Sequence, residues 1–227
     1  MVNFYQSPRC KICKQIGKSI YAKNFNDEIL RLFFTSYYGE SKYKNFKNKL
    51  EAFSYELLKC EDCKFVWQKN IPNKDFSIDL YENIIDNEQS LKKSMVKYQN
   101  QKNNNSKEIN NIVYNFKEKK INLLDFGAGW GHWLMSGPNS FYNSYAFELS
   151  PSRIFFLKSN GINVLNFDNI NSYENFFHYI RLDQVLEHLD DPNDALKIIK
   201  KLGKKDCVFY ISVPDGTEIA EKENIPY

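Results

Sequence analysis

No stretch of this sequence approaches the roughly 20 consecutive apolar residues that a membrane-crossing helix needs. Its first residues, MVNFYQSPRCKICK, hold neither an apolar core nor a small-residue cleavage site. A cytoplasmic protein without a membrane span is therefore expected. No internal repeat is visible. Histidine is scarce, with 3 in 227 residues, so candidates for proton transfer near neutral pH are few. Five cysteines without a secretion signal argue against a disulfide scaffold. Disorder throughout is excluded by what is present, since 42% of residues are hydrophobic and 16% aromatic, with 18 Phe and 15 Tyr.

The net charge of +3 hides an asymmetry. Residues 1–120 carry 22 Lys and Arg against 14 Asp and Glu, and the remainder 9 against 14. A basic first half suits a phosphorylated or nucleic-acid partner. The plainer reading is a Lys- and Asn-rich composition with solvated lysines. Three regions follow. Residues 1–75 carry two cysteine pairs around an aromatic, Lys-rich insert. Residues 76–120 are polar and read as a helical connector, in which QNQKNNNSKEINN (99–111) reads as a loop or exposed helix start. Residues 121–227 alternate strand and helix.

INLLDF (121–126) is a short apolar run closed by glycines, as for a strand buried on both faces. SYAFEL (144–149), INVLNF (162–167), YIRLD (179–183) and CVFYISVP (207–214) are further strands. SPSRIFFLKSNG (150–161) and DPNDALKIIKKLG (191–203) each have a capping residue, a first-turn Pro and a terminal Gly, the punctuation of a helix. The alternation predicts an α/β, doubly wound, mostly parallel sheet.

The informative segment is Asp125-Phe-Gly-Ala-Gly-Trp-Gly131. In such sheets ligands bind where the first strand turns into its helix. Gly127 and Gly129 allow backbone angles and a close approach that a Cβ would block. The dinucleotide fingerprint wants G-x-G-x-x-G with an acid roughly 20 residues on. Here the spacing is G-x-G-x-G, Asp125 sits two residues before the first glycine, and Glu148 ends the second strand. That set suits S-adenosylmethionine better. Asp125 would lie near the amino group, the turn of Gly127, Ala128 and Gly129 around the amino-acid portion, and Glu148 on the ribose hydroxyls.

Here the chain resembles the class I S-adenosylmethionine-dependent methyltransferases. LLDFGAGWGHWL is similar to their first motif, YAFELSPSRIFFLKSNGI to their second strand and helix, and RLDQVLEHLDDPNDALK to their fourth motif. The resemblance covers about residues 110–216 and implies a Rossmann-like fold. It places Asp168, with Asn169 beside it, near the adenine, Gln184 near the methionine portion, and Trp130 over the cofactor or the sheet edge. His188 is the best positioned candidate base, although the plainer reading makes its pairing with Glu187 part of a cofactor-side motif that does no proton transfer; His132 and His178 have weaker claims. The family's seven strands exceed the five present, so the sheet is expected to be incomplete at its C-terminal side, with one edge bare.

Cys10-Lys-Ile-Cys13 and Cys60-Glu-Asp-Cys63 form two CxxC pairs. Each makes a tight knuckle presenting two thiolates, and two knuckles complete a tetrahedral zinc site. Lys11, Lys14, Lys59 and Lys64 would help keep the thiolates ionised. Cys207, in the fifth strand, reads as a buried small hydrophobe. The layout resembles a bacterial group in which a four-cysteine zinc module precedes the methyltransferase domain, some members methylating nucleotide-linked sugars. This resemblance implies methyl transfer to a small hydroxylated substrate, such as a nucleotide-sugar or polysaccharide precursor. Two alternatives stay open: a nucleic-acid methyltransferase using the basic module, and a non-catalytic zinc-binding fragment. The Asn/Asp-Pro-Pro-aromatic signature of amino-directed nucleic-acid methylation is absent.

Overall fold

The computed structural model describes residues 3–50, 53–80, 84, 87–138, 140–189 and 191–215. The last part of the expected 121–227 region, residues 216–227, thus lies outside the described residues. Two compact units divide the chain, one built on Met1–Asp86 and the other on Asn87–Pro214. No helix among the described residues is long and apolar enough to cross a membrane.

In the first unit the described elements are β1 (Phe4–Gln6), β2 (Lys18–Asn24), α1 (Glu28–Tyr38), α2 (Glu40–Leu50), β3 (Ser54–Lys59), β4 (Val66–Gln68), β5 (Asn70–Pro72) and α3 (Lys74–Asp79). Strands β2, β3 and β4 form an antiparallel sheet, and β1 pairs with β5. Helix α1 starts where the Asp27 carboxylate accepts the Ile29 N–H and stops at Gly39, whose φ of 87° a side chain would resist. Aromatics of the insert make the core together with Phe4 and Phe76: Phe25, Tyr43 and Phe46 are buried with these two around Leu30. A separate cluster of Leu58, Trp67 and Phe65 backs Cys10 and Cys60.

The second unit holds α4 (Asn87–Asn115), β6 (Ile121–Phe126), β7 (Tyr142–Phe147), α5 (Pro151–Ser159), β8 (Asn163–Leu165), β9 (Phe177–Asp183), α6 (Pro192–Leu202) and β10 (Gly203–Ser212). The strand order is β10-β9-β6-β7-β8, all pairs parallel. This is the doubly wound, Rossmann-like sheet expected. The chain winds outward through β7 and β8 on one side of β6 and through β9 and β10 on the other. The switch point of the topology, where such sheets bind ligands, is therefore between β6 and β9. Both faces are covered, as parallel sheets require. Ile109 of α4 and Leu157 of α5 pack on one face with Ile121, Leu123 and Tyr179. Ile199 and Leu202 of α6 pack on the other with Leu124, Ile180 and Leu182.

Helix α5 keeps its expected ends, with Ser150 as cap, Pro151 in the first turn and Gly161 at φ 76°. Two expectations change. The Asn-rich stretch 99–111 lies inside α4, because Ile109, Ile112 and Val113 sit on one helical face and dock on the sheet. Gly203 does not close α6 in the left-handed region but opens β10 directly, with a Cβ there meeting the Cys207 side chain at 2.8 Å. Strand β10 lies at one edge, and its Val208, Phe209, Tyr210 and Ile211 are 40–50% exposed.

Candidate functional site

The glycine turn follows β6 immediately. Gly127, Gly129 and Gly131 have φ of 78°, 58° and 69°, the left-handed region that glycine enters without strain. Their roles differ. A Cβ on Gly127 would strike Val185 at 2.6 Å, and one on Gly131 would strike Leu157 at 2.3 Å, so both let elements pack closely. At Gly129 a Cβ would meet nothing within 4 Å, so this turn residue faces open space. The turn is tied to β7 by the Gly127 N–H donating to the Phe147 carbonyl at 2.8 Å and by the Ala128 N–H at 3.3 Å.

Glu148, just after β7, is buried and comes to the same place. Its Oε2 accepts the Gly129 N–H at 2.9 Å, while Oε1 accepts the N–H groups of Leu149 (2.8 Å) and Ser150 (3.0 Å). Arg153 of α5 lies 3.8 Å from Oε2. Trp130 covers this corner, edge-on to Phe156, under the Arg153 guanidinium, with its indole N–H on the Ser90 hydroxyl of α4 at 3.2 Å. His132 follows. The His132 Nε2 lies 2.8 Å from the Ser94 hydroxyl, which is also within hydrogen-bond reach of the Leu91 carbonyl. The ring stacks on Tyr98, and burial lowers its pKa.

Asp125, one residue before the end of β6, is in register with Arg181 of β9, across the switch point. Arg181 Nη1 lies 3.4 Å from the Asp125 carboxylate, and Nη2 lies 2.6 Å from that of Asp183. Burial raises the Asp125 carboxyl to about 6, with the Arg181 charge pulling the other way. Arg181 is not marked by any motif in the sequence. Its one signal is a single charge inside the apolar run Phe177–Leu182.

The remaining residues lie further from this corner. Gln184 has φ 56° and gives its side-chain amide to the Ser212 hydroxyl at 2.8 Å, so its side chain serves β10. Asp168 is exposed in a loop fixed by Asn166, whose Oδ1 accepts the Asp168 and Asn169 N–H groups at 3.0 Å. His188 is 64% exposed, with Glu187 at 3.9 Å. His178 lies inside β9 rather than before it, because the strand begins two residues earlier than its apolar run suggests. Its Nδ1 accepts the Asn122 N–H, and its Nε2 faces Glu118 and Lys204 at the strands' starting end, away from the glycine turn. Cys207 is half-buried, not buried, and burial pushes its thiol up to about 12.

In the first unit the four thiols of Cys10, Cys13, Cys60 and Cys63 lie within 4.8 Å of one another. The separations of 3.5 Å (Cys10–Cys63), 3.3 Å (Cys13–Cys60) and 3.6 Å (Cys13–Cys63) are too long for disulfides. They are close to the roughly 3.8 Å edge of a tetrahedron with 2.3 Å metal–sulfur bonds. The two knuckles match: Lys14 N–H donates to the Cys10 carbonyl and Lys64 N–H to that of Cys60, with both lysines at positive φ. A backbone N–H at Cys63 lowers the Cys60 thiol to about 7. Cys63 is drawn down by the Phe65 N–H, yet desolvation and the neighbouring thiols push it up to about 12. The cluster's protons are thus unevenly shared. A divalent cation would displace them.

A family model described as a methyltransferase domain matches residues 98–227. The chain belongs to this methyltransferase domain family. No curated protein matches the chain. Among solved structures, this chain is similar to a SAM-dependent methyltransferase from Archaeoglobus fulgidus, at 19% identity over 58% of this chain and 65% of that one, TM-score 0.42. It is similar to the plantazolicin methyltransferase BpumL, solved with a desmethylPZN analogue and SAH, at 13% identity over 66% and 62%, TM-score 0.44. It is also similar to the complex of the Haloferax volcanii Trm112 methyltransferase activator with a methyltransferase, at 14% over 52% and 56%, TM-score 0.40. The chain spans between about half and two thirds of these proteins' lengths. The family match, not these distant likenesses, carries the assignment.

Proposed function

We propose that the chain binds S-adenosylmethionine at the β6–β7 corner and directs its methyl group to a small hydroxylated acceptor, such as a nucleotide-sugar or polysaccharide precursor. One observation carries the reading: the left-handed turn at Gly129 opens onto free space beside the buried Glu148 carboxylate. The residues fit the cofactor. Gly129 leaves room for a ligand against the backbone, Glu148 offers carboxylate oxygens for ribose hydroxyls, and Asp125 offers one toward an ammonium group. Asp168 and Gln184 would border the adenine and the methionine portion. Trp130 closes the corner from the α4 side. The cofactor supplies a methyl group already activated by its sulfonium, so the chain's residues chiefly align the acceptor and exclude water. A hydroxyl acceptor must lose a proton, and His188, exposed after β9, is the residue proposed to take it.

The cysteine cluster is proposed to hold one zinc ion through Cys10, Cys13, Cys60 and Cys63, a closed set of four sulfurs that suits a structural site. Residues 1–75 are proposed as the zinc module, 76–120 as a helical connector and 121–227 as the cofactor domain. The cytoplasm, where thiols stay reduced, suits such a site.

The test is S-adenosylhomocysteine binding by calorimetry. Wild-type protein should bind, and Glu148→Ala should bind about tenfold to a hundredfold more weakly, the worth of charged hydrogen bonds to two hydroxyls. Equal affinity in the two proteins would remove the ribose assignment.

A further inference from the structure

Two buried nitrogen donors at the switch point have no acceptor among the described residues. Arg181 Nε and Trp133 Nε1 are each buried without a hydrogen-bond partner. They belong to neighbouring side chains, the Arg181 guanidinium lying 5.1 Å from the centre of the Trp133 ring. The rest of the guanidinium is engaged, Nη1 toward Asp125 and Nη2 toward Asp183. The Arg181 side chain is 16% exposed and is held between Trp133 and Tyr210, so it has little freedom to seek solvent. Neither nitrogen can satisfy the other, because both only donate. A buried donor left unmade costs a desolvation penalty comparable with a whole hydrogen bond. The arrangement calls for an acceptor, and an anionic one gains most from an arginine.

The surrounding charges specify the acceptor further. Asp125 and Asp183 flank the same guanidinium, and Glu108 of α4 acts on it through space. A simple anion would meet two or three carboxylates for one arginine. A zwitterion would not, since its cationic end can face the carboxylates while its anionic end takes the donors. A free α-amino acid head has both ends on one carbon. We infer that Arg181 and Trp133 hold the α-carboxylate of the cofactor's amino-acid portion through Nε–H and Nε1–H, with Asp125 and Asp183 facing its α-ammonium. This rests on the cofactor reading above and names the residues that recognise one end of the ligand. Arg181 reaches that position because β9 runs in register with β6, which sets it level with Asp125, the residue before the last of β6.

Two ligands separate the parts. S-adenosylhomocysteine carries the amino-acid head, and methylthioadenosine has the same nucleoside and sulfur without it. Trp133→Phe removes one N–H and leaves ring and ion cluster in place. It should weaken S-adenosylhomocysteine roughly three- to tenfold by calorimetry. Arg181→Met should weaken it about tenfold to a hundredfold. Methylthioadenosine affinity should stay unchanged in both, which also shows that each variant is folded. Parallel loss of both ligands, or unchanged S-adenosylhomocysteine affinity in Trp133→Phe, would overturn the inference, the latter by leaving water as the acceptor. Wild-type protein that binds neither ligand would sink the cofactor reading itself, and this inference with it.

Discussion

Asp125 is a carboxyl placed where water cannot reach it, beside an arginine that only partly compensates. Its folded pKa of about 6 stands above the roughly 3.9 of an unfolded aspartate. The proton therefore binds the folded state more tightly. Stability from this group is complete below about pH 4 and is lost as pH rises through about 6, amounting to at most ~3 kcal/mol. In an Asp125→Asn variant the side chain does not titrate. Between pH 4 and 7 the wild type should lose stability relative to that variant, as followed by urea unfolding at several pH values. Parallel curves would show that Arg181 keeps the carboxylate charged throughout. At this scale the glycines and Glu148 are legible in the sequence, because their spacing marks a backbone feature. Arg181, Trp133 and the Ser94–His132 pair are not. Their meaning depends on which strand lies beside which, and a lone charge in an apolar run does not reveal its neighbour.

Elements divide along the same line. The strands and capped helices from β6 to β10 follow from short apolar runs and end signals, and the structure moves their ends by only a few residues. Helix α4 is harder to see, because the asparagines of 99–111 weigh against helix on intrinsic preference. Packing wins, through Ile109, Ile112 and Val113 on the sheet. Ile109 is fully buried, so Ile109→Ala should cost about 2–4 kcal/mol in chemical unfolding, while Asn104→Ala on the exposed side should cost nothing or stabilise slightly. The cysteine knuckles show the reverse case. Their CxxC spacing is plain, but the strain is hidden: Lys14 and Lys64 occupy left-handed backbone without being glycine. Lys64→Gly relieves a conformation that costs an L-residue about 1 kcal/mol or more, and part of that gain returns as lost chain entropy. A small rise in melting temperature of the metal-loaded protein is expected, and a fall would mean that the lysine charge beside the thiolates outweighs the strain.

At the scale of the whole chain, the two compact units have separate sources of stability. The unit built on Met1–Asp86 has an aromatic core and four converging thiols. The unit Asn87–Pro214 has a parallel sheet covered on both faces and the proposed cofactor corner. A ligand stabilises only the unit whose folded form it binds, by an amount that grows with its concentration above Kd. If the proposed zinc ion is bound by Cys10, Cys13, Cys60 and Cys63, a strong chelator should lower or abolish one calorimetric transition, since structural zinc contributes folding free energy directly. Saturating S-adenosylhomocysteine, at about 100 times its Kd, should raise the other by roughly 2.7 kcal/mol. If chelation shifts both transitions equally, the units fold as one cooperative body and the metal supports the cofactor corner as well. If it shifts neither, the four thiols are stable without an ion. Tetrahedral spacing alone, which four packed cysteines can reach through their shared protons, would then account for their geometry.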